Sequence, residues 1–189
     1  MSGTAEVHQS TLTPTKLELL AAWLPTQPWF DGDAADLASV GTFRFVDPDG
    51  DVGVETHLVS AGGKVYHVPV TYRGEELKDG VLVGEMDHSL LGKRYVYDAT
   101  SDPVYVAELT RVIREGDTEA DVVREGELLP KTIRAEGSGI DSVTDQSGLV
   151  RIVREIGDPH FSTERARGLL VITYGDDGDK HEEVVAVMR

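Results

Sequence analysis

The chain has 189 residues, 40% hydrophobic and 28% charged, a composition that supports a packed core and argues against disorder. Eighteen Lys+Arg against thirty-four Asp+Glu leave a net charge of −16, which repels phosphate backbones and anionic headgroups, so neither nucleic acid nor membrane is an expected partner. Cysteine is absent, which removes disulfides and thiol chemistry, and with no signal-type apolar segment the expectation is a soluble, cytoplasmic protein.

Residues 1–13 are small and polar and read as a flexible tail. Thr15-Lys16-Leu17-Glu18 then has capping-box spacing, with Leu17, Leu20, Ala21 and Leu24 following at helical intervals before Pro25 and Pro28. The pair Trp29-Phe30 beyond that helix either folds back as a core plug or presents Trp29 as a ligand platform. Segments 40–46, 52–60 and 64–72 are β-branched, aromatic and period-two, and turn compositions separate them, which predicts an antiparallel meander. If the Ala61–Lys64 turn sets Ser60 opposite Val65, then His57 faces Val68 and His67 faces Leu58. The two imidazoles then lie on opposite faces of the sheet and cannot share a metal.

Val81–Gly84 and Arg94–Asp98 read as two further strands around a loop-like Glu85–Lys93. Ser101-Asp102-Pro103 starts a helix, with Tyr105, Leu109, Val112 and Ile113 on one face. Gly116–Glu127 is acidic and aperiodic, a linker or solvated excursion. Strands at Thr132–Ala135, Leu149–Ile156, Leu169–Tyr174 and Glu183–Met188 complete the chain, the last two joined by the turn Gly175–Asp179. The class is α+β: an antiparallel sheet with packed helices, followed by additional C-terminal antiparallel strands. Residues 116–189 form either a second lobe or a continuation of the first domain.

Chemistry-bearing patterns are few. Gly137-Ser138-Gly139-Ile140-Asp141-Ser142 starts like a dinucleotide loop but lacks the third glycine and precedes a strand; a Walker-type phosphate loop is absent. Asp47, Asp49 and Asp51 alternate like calcium ligands, but the glycine falls at the fourth position of the loop, which favours a hairpin turn. His181-Glu182-Glu183 lacks the second histidine of a zinc motif. No metal, no cofactor and no catalytic residue is therefore assigned. The densest polar stretch is Glu85-Met86-Asp87-His88-Ser89. A carboxylate beside an imidazole can orient the ring and make His88 hold its proton more tightly. Glu85, Asp87 and His88, with Trp29, are the candidate ligand- or partner-binding residues; the alternative is a self-satisfied polar connection.

The stretch Val81–Val106 resembles the N-terminal cap domain of bacterial maltokinases. Gly84, Met86, Asp87, His88, Ser89, Leu91, Gly92, Arg94, Tyr95, Val96, Tyr97 and Asp98 fill that family's pattern, and Asp102-Pro103-Val104-Tyr105-Val106 completes it. Trp23-Leu24 and Gln27-Pro28-Trp29-Phe30 resemble the cap's opening, with Pro28 in place of the usual arginine. The similarity spans residues 17–115 and implies a cap domain over 14–115, a helix on an antiparallel sheet likened to the cystatin topology. In full-length maltokinases two further lobes bind ATP and phosphorylate maltose. The faint echo of their next segment in Gly137–Glu155 has Ile152 where the phosphate-contacting lysine stands, so kinase activity is not implied. The resulting expectation is a stand-alone, non-catalytic partner or regulator in α-glucan, trehalose or maltose metabolism. Its rivals are a carbohydrate-binding module stacking sugar on Trp29 or on Tyr95 and Tyr97, and a small acid–base enzyme that needs Glu85, Asp87 and His88 to converge.

Overall fold

In the computed structural model, which describes residues 2–140, 149–176 and 178–189, most strand pairing is antiparallel and the α-helices are two and short. After β1 (Thr4–Val7) and β2 (Leu12–Thr13), Thr15 caps helix α1 (Lys16–Trp23). Its hydroxyl accepts from the Glu18 amide while its own amide donates to the Glu18 carboxylate at 2.8 Å, the reciprocal box that the spacing predicts. The meander follows as β3 (Ala38–Val46), β4 (Gly53–Ala61) and β5 (Lys64–Arg73). Gly62 and Gly63 turn β4 into β5 at φ 60° and 78°, the paired positive values of a type I′ hairpin. That turn fixes the register deduced from the sequence: Ser60 opposite Val65, His57 opposite Val68 and Leu58 opposite His67.

A hairpin of β6 (Leu82–His88) and β7 (Gly92–Asp98) docks β7 on β5, and β2 joins β6, giving the order β2-β6-β7-β5-β4-β3. Asp102 then caps α2 (Pro103–Glu115), which ends at Gly116 in the left-handed region, φ 64°. The Asp102 carboxylate, with no solvent exposure, accepts from the Val104 amide at 3.0 Å, from the Thr71 hydroxyl at 2.7 Å, and from the Arg73 fork at 2.8 and 2.7 Å. Beyond α2 come β8 (Asp121–Arg124), β9 (Glu127–Leu128), β10 (Ile133–Gly137), β11 (Val150–Ile152), β12 (Gly168–Tyr174) and β13 (His181–Met188). A second antiparallel sheet is ordered β10-β12-β13-β11, and β1-β8-β9 make a small third sheet in which β1 and β8 run parallel. Asp177 of the last turn lies outside the described residues.

Four sequence expectations need correction. Residues 1–13 are not a loose tail: β1 pairs with β8 and β2 with His88 and Asp87 of β6. The stretch read as an excursion after Gly116 carries β8, whose partner lies over a hundred residues upstream and therefore leaves no local periodicity. Glu85–His88 is strand, not loop. Furthermore, the segment 149–156 does not stay in one sheet. β11 stops at Ile152, and the chain crosses to β5, where the His67 amide donates to the Arg154 carbonyl at 2.8 Å and the Ile156 amide to Val65 at 2.8 Å.

Strand alternation divides the core into two layers. On one face of the large sheet, Leu19, Leu20, Trp23 and Leu24 cover Val59, Tyr66, Val68, Val70, Met86 and Val96. The approach is close: a Cβ on Gly84 would stand 2.6 Å from a Leu19 methyl. On the other face, Phe43, Phe45, Val54 and Leu58 share a cluster with Tyr105, Leu109, Val112 and Ile113 of α2 and with Ile133, Leu170, Ile172 and Val185 of the second sheet. At the end of α2, a Cβ on Gly137 would overlap the Val112 carbonyl, and the amides of Gly139 and Ile140 donate to Ile113 and Arg114 at 2.9 and 3.1 Å. Those glycines therefore close a helix; Asp141 and Ser142 of the same motif lie outside the described residues.

Leu109, 1% exposed between the layers, should cost about 2–5 kcal/mol as Leu109→Ala in urea unfolding. Gly137→Ala should cost about 1–3 kcal/mol or more by overlap with the helix backbone, whereas Gly178→Ala, with open space around it, should stay within about 0.5 kcal/mol.

Candidate functional site

The residues singled out from sequence do not meet at one point. Gly84, Met86 and His88 share the α1 face of β6, so Glu85 and Asp87 project from the opposite face. Glu85 pairs instead with Lys93 at 2.7 Å. The His88 ring is held by its own surroundings. Nδ1 accepts from the Leu90 and Leu91 amides, both at 3.2 Å, which leaves the Nε2 proton to the Ser10 hydroxyl at 3.1 Å. Burial, then the positive charges of Arg94, His8 and Lys16, lower the His88 pKa. This reverses the tighter proton expected from its sequence neighbours, because the carboxylates point away and the cations lie near.

Trp29 is half-buried: its ring stands edge-on to Trp23 at 5.9 Å and carries the Arg154 guanidinium at 4.9 Å. Arg154 in turn pairs with Asp98 at 2.6 Å. Tyr97 is buried with its hydroxyl accepting from the Leu77 amide at 2.8 Å, and Lys93 covers Tyr95 at 4.7 Å. These rings are occupied by the protein's own groups.

The densest polar centre lies where the sequence reading placed ordinary strand. Glu55 and His57 alternate onto the α1 face of β4, beside Arg44 of β3 and Tyr72 of β5. The Glu55 carboxylate is 5% exposed and takes Lys16 at 2.5 Å, Arg44 at 3.0 Å, the Tyr72 hydroxyl at 3.0 Å and His57 at 3.3 Å. Tyr72 and His57 also lie within hydrogen-bond distance of each other, 3.0 Å. Burial opposes the Glu55 charge, but Arg44, His57 and Lys16 outweigh it and hold the carboxyl well below its usual range. Burial and Glu55 push the Tyr72 phenol well above its usual range, and burial lowers Lys16. The carboxylate stays ionised and the phenol protonated around neutrality, so this pair can orient a ligand but exchanges no proton there. A signal for the site existed: Glu55 and His57 stand at i, i+2 on a mostly buried strand, with Arg44 opposite Glu55 in the meander.

The centre opens on a groove of about 830 Å³ that also includes Ser10, His88 and Arg94. Among the described residues, no group of three His, Asp or Glu is arranged to hold a metal ion. In the β3–β4 turn the Asp47 carboxylate accepts from the amides of Asp49, Asp51 and Val52 at 2.9–3.1 Å. No helix is long and apolar enough to cross a membrane, among the described residues.

Residues 23–102 match the maltokinase N-terminal cap domain family, which takes in Trp29, Arg44, Glu55, His57, Tyr72, Arg94 and the β6–β7 hairpin. A comparison with curated proteins finds no match.

Glu55→Gln leaves the half-buried Lys16 and Arg44 without their counter-charge and should cost about 1–3 kcal/mol in urea unfolding. A second expectation concerns His67, fully buried with Nδ1 on the Val153 carbonyl at 2.9 Å, whose pKa burial lowers from 6.5 to about 4. The unfolded imidazole takes its proton below about pH 6.5 and the folded one only near pH 4, so stability falls on acidification across that window. The loss should be about 3 kcal/mol, and His67→Gln should remove that part of the pH dependence.

Proposed function

We propose that this chain is a non-catalytic relative of the maltokinase cap, serving as a partner or regulatory module in α-glucan, trehalose or maltose metabolism. The observation that carries the reading is the cap match over residues 23–102, together with the buried, charge-locked centre inside it. In that centre the surrounding cations hold the Glu55 carboxyl well below its usual range, and burial with Glu55 pushes the Tyr72 phenol well above its own, so this pair exchanges no proton near neutrality. The helix-on-sheet arrangement of α1 supports a cap-like topology of the cystatin kind. In the faint echo of the maltokinases' next segment over Gly137–Glu155, Ile152 stands where the phosphate-contacting lysine would be.

The sugar-stacking reading through Trp29, Tyr95 and Tyr97 draws no support from the packing, since Arg154, Lys93 and the core occupy those rings.

The deciding experiment is affinity capture by the full chain from an extract of its source cells, with mass spectrometry of what is retained. An enzyme of α-glucan or trehalose metabolism, retained stoichiometrically and changed in activity by added chain, is the expected result. Recovery of the chain alone, or of unrelated proteins, overturns the partner reading. Titration with ATP in a calorimeter should give no saturable heat; micromolar binding would overturn the non-kinase reading.

A further inference from the structure

Three buried side-chain atoms that find no hydrogen-bond partner among the described residues, His67 Nε2, Tyr105 Oη and Arg154 Nη1, belong to one place in the core. The His67 amide donates to the Arg154 carbonyl at 2.8 Å, and the adjoining Tyr66–Glu155 bridge fixes the alignment, so Arg154 stands directly across from His67 on the neighbouring segment. Side chains directly opposite leave a sheet on one face, with Cβ atoms roughly 4.5–5.5 Å apart. That face is the one α2 covers: Val65, two residues from His67, packs against the cluster that holds Tyr105. His67 and Tyr105 are 0% and 1% exposed, and the Arg154 side chain is 16% exposed. The charges of Arg154 and Asp98 bear on both the His67 ring and the Tyr105 hydroxyl, an independent sign that the guanidinium lies near the two.

We propose that His67 Nε2, Tyr105 Oη and Arg154 Nη1 together hold one internal water molecule. The donors and acceptors select that ligand. His67 Nδ1 stands 2.9 Å from the Val153 carbonyl, which can only accept, so Nδ1 carries the ring proton and Nε2 offers a lone pair. Arg154 Nη1 can only donate, and its twin Nη2 is engaged by Asp98 at 2.8 and 2.6 Å and by Thr100 at 3.1 Å. Tyr105 Oη does either. An anion would meet the lone pair of Nε2 and a cation would meet the guanidinium, so neither ion suits all three atoms. Water accepts from Arg154, donates to His67 and turns its remaining capacity to Tyr105, making about the three bonds typical of a buried water. It thereby joins β5, α2 and the 153–156 segment, and adds a fastening to that segment beside the His67–Val153 and Arg154–Asp98 contacts. The site lies in the interior and is independent of whether the chain has a protein partner.

A crystal structure of the full chain with ordered solvent tests it, together with nuclear Overhauser effects between water and the His67 ring in solution. The expected result is one solvent peak about 2.7–3.2 Å from all three atoms, unchanged when chloride in the medium is replaced by bromide. In solution, a water cross-peak at the His67 ring should carry the sign that marks residence beyond nanoseconds. Tyr105→Phe keeps the aromatic ring and removes one partner, so the variant should melt several degrees lower, with the solvent peak lost or displaced. Direct hydrogen bonds among the three atoms, or no solvent peak between them, overturn the proposal. So does anomalous scattering from bromide at that position, which would make the occupant an ion. A missing cross-peak at His67 also overturns it, as does a Tyr105→Phe variant with an unmoved solvent peak and an unchanged melting temperature.

Discussion

The buried Asp102 carboxylate ties the two halves of the core together. It ends the connection from β7, begins α2, and reaches back to Thr71 and Arg73 of β5, so the helix starts at a fixed point on the large sheet. From there α2 runs between that sheet and the second one, sharing one apolar cluster with both. A charged group with no exposure is costly unless its lone pairs are filled; here four donors fill them. Hydrophobic burial supplies most of the driving force, while Asp102 specifies where it acts.

Local rules made much of this legible. The capping box at Thr15, the Asp-Pro start of α2 and the Gly-Gly hairpin each contain their geometry within a few residues, and each forms as the sequence predicts. The β4–β5 register followed from that hairpin and correctly separated His57 from His67. Pairings over long sequence distance were not legible. β1 is four residues that find a parallel neighbour in β8, and the 153–156 segment changes sheets because β7 leaves β5 after Asp98 and frees an edge there. Neither event has a local signature.

The candidate site shows the same division. Proximity in sequence drew attention to Glu85, Asp87 and His88, but a strand sends alternate side chains to opposite faces, and that alternation separates the acids from the imidazole. The residues that do converge, Lys16, Arg44, Glu55, His57 and Tyr72, come from α1, β3, β4 and β5. Their meeting depends on the meander register and on how α1 crosses it. The register was within reach of sequence reasoning; the crossing was a matter of packing Leu19 against Gly84.

The Gly-Ser-Gly turn that follows β10 shares its letters with nucleotide loops, yet its polarity is inverted. A phosphate loop points free amides, and the positive end of a helix dipole, at an anion. Here the Gly139 and Ile140 amides are consumed by the carbonyls of Ile113 and Arg114 at the opposite pole, where the dipole is negative. An approaching phosphate would find its donors already taken and a repulsive partial charge behind them. Composition alone cannot distinguish these two loops; which pole of the neighbouring helix the loop meets does.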